Sequence, residues 1–157
     1  MYMTKIPKIL LLLILLIPLL ACGLLPIGRE NPEQIPRKEI DIAADQGWQD
    51  TGIAFLSGEQ VLIEYISGQV QDLDTKIIDG TGSDYICGHA GCCEPMPNAR
   101  RSALIGKIGS IDDGIFFVGN GIDLPVETSG TLFLRINDCN SGLEDNSGQF
   151  QVQITRK

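Results

Sequence analysis

The chain has 157 residues, of which 43% are hydrophobic, so it is long enough for one domain with a buried core. The 20 acidic residues exceed the 12 Lys and Arg, and the formal net charge is −8. This balance argues against nucleic acid as a partner, because binding to phosphates depends on a surplus of basic residues.

The N-terminus begins with a short basic stretch and an apolar run. Lys5 and Lys8 precede the apolar residues 9–20, and this order is typical of a secretory signal peptide. A membrane-spanning helix would need about 20 apolar residues, and this run is shorter. We therefore expect residues 1–21 to be a signal peptide and not an uncleaved membrane anchor.

The apolar run ends in Leu19-Leu20-Ala21-Cys22, which has the small residue before cysteine that is expected of a bacterial lipobox. Cys22 would then carry the lipid and become the mature N-terminus. We expect an exported protein that is lipid-anchored to the cell membrane and faces outward, into the periplasm or at the cell surface. Residues 22–39 contain three prolines and no hydrophobic period, which indicates an extended tether before a domain at 40–157.

Residues 40–157 show mainly the pattern of β-strands. Apolar and polar residues alternate at 132–136 and 150–154, with the two-residue period of half-buried strands. Further candidate strands lie at 51–56, 60–66, 74–78, 103–108, 115–118 and 122–126, with glycine-containing turns between them, such as Ser67-Gly68. Seven to nine short strands at this spacing predict an all-β fold, a small antiparallel β-sandwich or jelly roll.

Four cysteines follow Cys22 in the chain. They are Cys87, Cys92, Cys93 and Cys139. Four cysteines in an exported domain normally form two disulfides, and adjacent cysteines rarely bond each other. Cys92 and Cys93 should therefore pair with Cys87 and Cys139, in either of two ways. The alternative is a zinc or copper site that combines these sulfurs with His89, since thiolate and imidazole are good ligands for both metals.

The C-terminal part contains a loop rich in oxygen ligands. The strand at 130–136 ends in Asn137-Asp138, and Asp145-Asn146-Ser147-Gly148 begins seven residues after Asp138. Carboxylate, amide and backbone oxygens are the ligands that calcium prefers, while Gly142 and Gly148 allow the loop to bend. The same residue types also form ordinary polar turns, so composition alone leaves both interpretations open.

Six short segments between residues 48 and 154 carry a family resemblance through their order and spacing. They are Trp48, Gly58-x-x-Val61-x-Ile63, residues 103–109 (ALIGKIG), Phe117-x-Gly119, Gly130-x-Leu132-x-Leu134-x-x-Asn137-Asp138, and Asn146-Ser147-Gly148-x-Phe150-x-Val152-x-Ile154. These segments resemble the PA-IL (LecA-like) calcium-dependent galactophilic lectins. The resemblance implies a small β-sandwich with one calcium ion at its tip.

The resemblance also implies which residues hold the metal. The implied ligands are Asp138, the carbonyl of Gly142, Asp145, Asn146 and a carbonyl near Asp72. The family often has asparagine at the position of Asp145. A second carboxylate at the ion should tighten calcium binding, because ligand charge is one of the determinants of calcium affinity.

In the lectins of this family the bound calcium takes two sugar hydroxyls directly, and a preceding loop adds a histidine and a glutamine. An ungapped count back from Ala103 places His89 at the histidine position and Cys92 at the glutamine position. Asn137 is a further implied sugar contact. Residues 84–101 depart from the family pattern with three cysteines and two prolines, so a preference for galactose-type saccharides does not follow from the resemblance.

The sequence offers no catalytic constellation. It has one histidine and lacks a Gly-x-Ser-x-Gly motif, so we expect a binding protein and not an enzyme. The alternative to a lectin is an envelope or adhesion module in which calcium and disulfides stiffen a surface that binds a protein partner. A homo-oligomer is compatible with either interpretation.

Overall fold

The computed structural model of the protein describes residues 36–72, 77–110 and 114–157. The predicted signal peptide, the lipidation site Cys22 and most of the predicted tether lie outside the described residues. Within the described ranges, no helix has the length and apolar character needed to cross a membrane.

The regular secondary structure of the described residues is almost entirely β. The strands are β1 (Arg37–Ala43), β2 (Gln49–Phe55), β3 (Gln60–Gln71), β4 (Ile77–Ile78), β5 (Leu104–Ile108), β6 (Phe116–Phe117), β7 (Gly121–Pro125), β8 (Gly130–Ile136) and β9 (Ser147–Arg156). A 3₁₀ segment at Asn140–Asp145 separates the last two strands.

The strands form two antiparallel sheets with a shared core. One sheet has the order β1-β9-β3-β4, with β7 also paired to β3, and the other has the order β2-β8-β5-β6. Alternate apolar side chains of both sheets, such as Ile63 and Phe150 from the first and Leu132 and Leu134 from the second, are fully buried in one cluster. Burial of these side chains on both inner faces confirms the predicted antiparallel β-sandwich.

The strand registers bring the ends of four strands together at one end of the sandwich. Ile136, the last residue of β8, pairs with Leu104 at the start of β5. Ser147, the first residue of β9, pairs with Gln71 at the end of β3. Residues 137–146 therefore connect the second sheet to the first, and they lie beside the end of β3 and the start of β5.

Two strands differ from the predicted boundaries. The sequence pattern does not predict β1. Its composition assigns residues 37–39 to the tether, but these residues pair with residues 153–155 of β9. The turn predicted at Ser67-Gly68 is wrong, because β3 continues to Gln71 through a register shift between Tyr65 and Ser67. In both places pairing with β9 overrides the local signal of charged residues or of Ser-Gly. Of the strand predicted at 74–78, residues 77–78 form β4 and 74–76 lie outside the described residues.

Candidate functional site

A buried arginine lies at the end of β8, where the predicted calcium loop begins. Arg135 is 2% exposed and donates hydrogen bonds to the carbonyl oxygens of Ile136 (2.9 Å) and Asp138 (2.7 Å) and to Oδ1 of Asn140 (2.8 Å). Its guanidinium lies 5.6 Å from the ring of Trp48. Burial lowers the pKa of Arg135, and the charge of Asp138 opposes this shift. Arg135 thus fixes the backbone at the start of the predicted calcium loop.

Asp138 and Asn146 meet across this loop. Nδ2 of Asn146 donates a 2.9 Å hydrogen bond to Oδ2 of Asp138, and both residues are buried. Gly142 faces the same carboxylate, because a Cβ at that position would lie 3.6 Å from Oδ2 of Asp138. The structure therefore brings three of the predicted ligand residues together.

Asn146 has one oxygen without a partner. Its Oδ1 is buried, and within the described residues no hydrogen-bond donor contacts it. An unsatisfied buried carbonyl oxygen costs about 1–3 kcal/mol, so such an oxygen beside a buried carboxylate is a favourable ligand for a hard cation. The residues present therefore fit a calcium ion.

The two other predicted metal residues have different positions relative to this pair. Asp145 ends the 3₁₀ segment and is exposed, so its carboxylate faces solvent next to Asn146. Asp72 is buried just beyond β3, and its Oδ2 accepts a 3.3 Å hydrogen bond from the hydroxyl of Ser102. The backbone N–H of Ser102 donates to the carbonyl of Asn137 at 2.9 Å, so Asp72 is linked to the loop through Ser102.

Glu94 and Arg101 also lie at the site, although the sequence pattern does not predict either of them there. Nε of Arg101 lies 3.5 Å from Oδ1 of Asp138, and one of its terminal nitrogens lies 3.4 Å from Oε1 of Glu94. Glu94 is 6% exposed, and its Oε2 is buried with no hydrogen-bond partner in the described part of the chain. A second buried carboxylate thus lies next to Asp138, with Arg101 between them.

The two disulfides explain how Glu94 reaches this place. Cys87 bonds Cys92, and Cys93 bonds Cys139, which is one of the two predicted arrangements. Because Glu94 follows Cys93 and Asp138 precedes Cys139, the second disulfide brings the two acids together. The sequence shows that each acid is next to a cysteine, but it predicts their approach only once the pairing of Cys93 with Cys139 is known. All four sulfurs are in disulfides, so the alternative zinc or copper site on thiolates is not formed.

The predicted sugar contacts differ from one another in exposure and in hydrogen bonding. His89 is exposed, and its ring lies 2.9 Å from the Ala90 carbonyl oxygen and 3.5 Å from the sulfur of Cys87. Cys92 is half-buried and its sulfur is in a disulfide, so it has no hydrogen to donate and cannot replace the amide of a glutamine side chain.

Asn137 is fully buried, and its amide holds the loop at residues 84–101. Its Oδ1 accepts a hydrogen bond from the N–H of Met96, and its Nδ2 donates to the carbonyls of Met96 and Arg100, all at 3.0–3.1 Å. These three bonds use the donors and the acceptor of the amide. The structure thus gives Asn137 a role in positioning the loop in place of the predicted sugar contact.

An aromatic side chain lies at the rim of this arrangement. The side chain of Tyr85 is half-exposed, and the guanidinium of Arg101 lies 5.1 Å from the centre of its ring. Since Arg101 also contacts Asp138, it links the tyrosine ring to one of the candidate calcium ligands.

Comparison with known proteins supports the fold. No protein-family model matches the chain, and no curated protein sequence does. Among solved structures, it is similar to a lectin domain described as the EclA N-terminal domain, a PllA-like lectin, with a TM-score of 0.59 and 24% identity. The match covers 76% of this chain and 95% of that domain. The chain therefore has a lectin-like β-sandwich fold.

Proposed function

We propose that this protein binds carbohydrate through calcium, as a member of the PA-IL type of lectins, and that a lipid on Cys22 anchors it to the cell membrane facing outward. The observation that supports this most is the buried Oδ1 of Asn146, which has no hydrogen-bond partner among the described residues and lies beside the carboxylate of Asp138. The similarity of the fold to a lectin domain adds support for the class of function.

Each residue of the loop has a distinct part in this proposal. Asp138 supplies a buried carboxylate that Arg135 positions through the backbone, and Asn146 supplies the free amide oxygen. Asp145 supplies a second carboxylate from the exposed side, where a ligand can approach. Calcium bound there would offer open coordination positions, which vicinal sugar hydroxyls can fill as hard neutral donors.

The loop at residues 84–101 would contact the rest of the sugar. Tyr85 presents a half-exposed ring that can cover the apolar face of a sugar ring, and His89 presents an exposed imidazole that can hydrogen-bond to a hydroxyl. We propose that this loop determines which saccharide is preferred, galactose-type sugars included.

A second candidate function is a calcium- and disulfide-stabilised module that binds a protein partner. The neighbouring side chains of Tyr85 and Ile86 are each 50% exposed, on a loop that a disulfide fastens to β8. Exposed apolar side chains on a rigid loop are typical of protein-binding surfaces.

The test is a glycan array probed with the full-length protein in calcium and again after chelation with EDTA. We expect glycan signals that disappear with EDTA, because the sugar hydroxyls would bind the ion directly. Asp145→Ala should abolish the signals, while Glu144→Ala, its exposed neighbour in the same 3₁₀ segment, should preserve them.

The same variants separate the two candidate functions. A calcium concentration one hundredfold above Kd should stabilise the folded state by about 2.7 kcal/mol, which raises the Tm of the wild-type protein and of Glu144→Ala. Calcium stabilisation without any glycan signal would favour the protein-binding module. An unchanged Tm rise and glycan signal in Asp145→Ala would show that the proposed site is wrong.

A further inference from the structure

We propose that the Cys87–Cys92 disulfide is a thiol–disulfide exchange site, which dithiol reductants open while the Cys93–Cys139 disulfide stays closed. This inference is independent of the proposed function. It would give the chain a site of reversible reduction on the same loop that contacts the end of β8.

His89 places a hydrogen-bonding group on each sulfur of the Cys87–Cys92 pair. Its ring Nε2 lies 3.5 Å from Sγ of Cys87, and its backbone N–H donates to Sγ of Cys92 at 3.3 Å. Its Nδ1 lies 2.9 Å from the carbonyl oxygen of Ala90, so Nδ1 carries a proton and the ring is held with Nε2 toward the sulfur. In the neutral ring Nε2 then presents a lone pair that can accept the proton of an attacking thiol, while the backbone N–H stabilises a Cys92 thiolate as the leaving group.

The disulfide is also within reach of a reductant. Both cysteines are half-buried, and the four residues between them, 88–91, are all exposed. The pair closes a short loop with a sequence separation of 5, so opening it requires no displacement of either sheet.

A dithiol reduces the Cys87–Cys92 disulfide in two steps. One thiol of the dithiol gives its proton to Nε2 of His89 and attacks Sγ of Cys87, which forms a mixed disulfide and expels Cys92 as a thiolate beside the N–H of His89. The second sulfur of the dithiol then attacks the first dithiol sulfur in the mixed disulfide and releases Cys87, and the two dithiol protons pass through His89 and solvent to the cysteine sulfurs. The protein disulfide gains two electrons and, after protonation, becomes two thiols, and the dithiol becomes a cyclic disulfide.

The second disulfide has the opposite surroundings. Cys139 is 5% exposed, so direct attack on its sulfur is obstructed. Attack on the exposed Cys93 would expel Cys139, but the three hydrogen bonds of Asn137 hold the two chain segments together. The expelled Cys139 thiolate would be buried within 4.8 Å of the Glu94 carboxylate, and this negative charge makes it a poor leaving group.

The experiment measures the opening of both disulfides in the same molecules. The full-length protein, purified without reductant, is incubated with dithiothreitol, quenched with iodoacetamide at timed intervals and mapped by peptide mass spectrometry. We expect Cys87 and Cys92 to be alkylated at least about tenfold faster than Cys93 and Cys139, given the difference in the leaving group. In His89→Ala, the opening of Cys87–Cys92 should slow about threefold, while Cys93–Cys139 keeps its rate.

The outcomes are decisive in both directions. Equal rates for the two disulfides, or faster opening of Cys93–Cys139, would overturn the proposal. An unchanged Cys87–Cys92 rate in His89→Ala, with Cys93–Cys139 also unchanged, would overturn the part assigned to His89. The rate of Cys93–Cys139 in the variant shows that its fold is intact.

Discussion

Arg101 lies at the point where the loop at residues 84–101 meets the candidate calcium site. Its guanidinium faces Asp138 on one side and Glu94 on the other, at 3.5 and 3.4 Å. The Nε atom makes no hydrogen bond within the described residues, so the interaction with Asp138 is an ion pair without a hydrogen bond. An internal cation thus partly neutralises the carboxylate that a calcium ion would use.

Replacement of Arg101 should therefore strengthen calcium binding. We expect Arg101→Gln to lower the calcium Kd about fivefold, because a competing positive charge is removed from a partly exposed position where water already screens it. Isothermal titration with calcium chloride measures this change. Arg100→Gln is the matched control, since Arg100 pairs with the exposed Asp84 and should leave the Kd unchanged.

An equal change in both Arg variants would mean that net charge alone sets the affinity. No change in Arg101→Gln would mean that the ion does not bind beside Asp138.

At the scale of elements, the pairing of β3 with β9 depends on two glycines. Gly68 in β3 and Gly148 in β9 have φ of +97° and +87°, in the left-handed region that glycine adopts at low cost. A Cβ at Gly68 would overlap the carbonyl of Gln149, and a Cβ at Gly148 would overlap the carbonyl of Gln69. Close approach of the two backbones allows β3 to continue into the region of the candidate site.

Substitution of Gly68 should therefore lower the stability of the fold by more than the positive φ of this residue alone explains. We expect Gly68→Ala to lower the free energy of unfolding by about 3 kcal/mol, because backbone overlap adds to the cost of a positive φ. Gly58→Ala is the control, since Gly58 has a φ of +94° with nothing within 4 Å, and it should lose about 1 kcal/mol. Urea denaturation of both variants gives the comparison, and equal losses would contradict the role assigned to backbone contact.

Much of this fold is predictable from the sequence. The two-residue period locates β8 and β9, and glycine turns separate most of the other strands. β1 escapes prediction because its first residues, Arg37, Lys38 and Glu39, are exposed on an edge strand and carry no apolar signal. The continuation of β3 past Ser67-Gly68 depends on β9, more than 75 residues away in the chain, and a local pattern cannot show it.

The candidate site was predictable where its residues are neighbours in the chain. Asp138, Gly142 and Asn146 lie within one short loop, and the structure brings them together. Glu94 and Arg101 come from a separate loop, and their approach to Asp138 follows from a disulfide whose partner the sequence left open.

At the scale of the whole molecule, two disulfides close loops of very different length. Cys93–Cys139 has a sequence separation of 46 and joins the loop at residues 84–101 to the end of β8, whereas Cys87–Cys92 has a separation of 5. A crosslink that closes a longer loop removes more conformational entropy from the unfolded chain.

The double variant Cys93→Ala/Cys139→Ala should lose about 4 kcal/mol of unfolding free energy, and Cys87→Ala/Cys92→Ala about 2 kcal/mol. Urea denaturation of the two variants and the wild-type protein, all without reductant, measures the difference. A greater loss from the short loop would contradict a mainly entropic contribution of these crosslinks.

The hydrogen bonds of Asn137 have a consequence for how this loop can be exchanged between proteins. If residues 84–101 were grafted alone onto another lectin-like sandwich, the N–H and carbonyl of Met96 and the carbonyl of Arg100 would lose the amide that now satisfies them. Cys93 would also lose its partner Cys139. The loop and the tripeptide Asn137-Asp138-Cys139 therefore form a single unit that is transferable only as a pair, although 35 residues separate them in the chain.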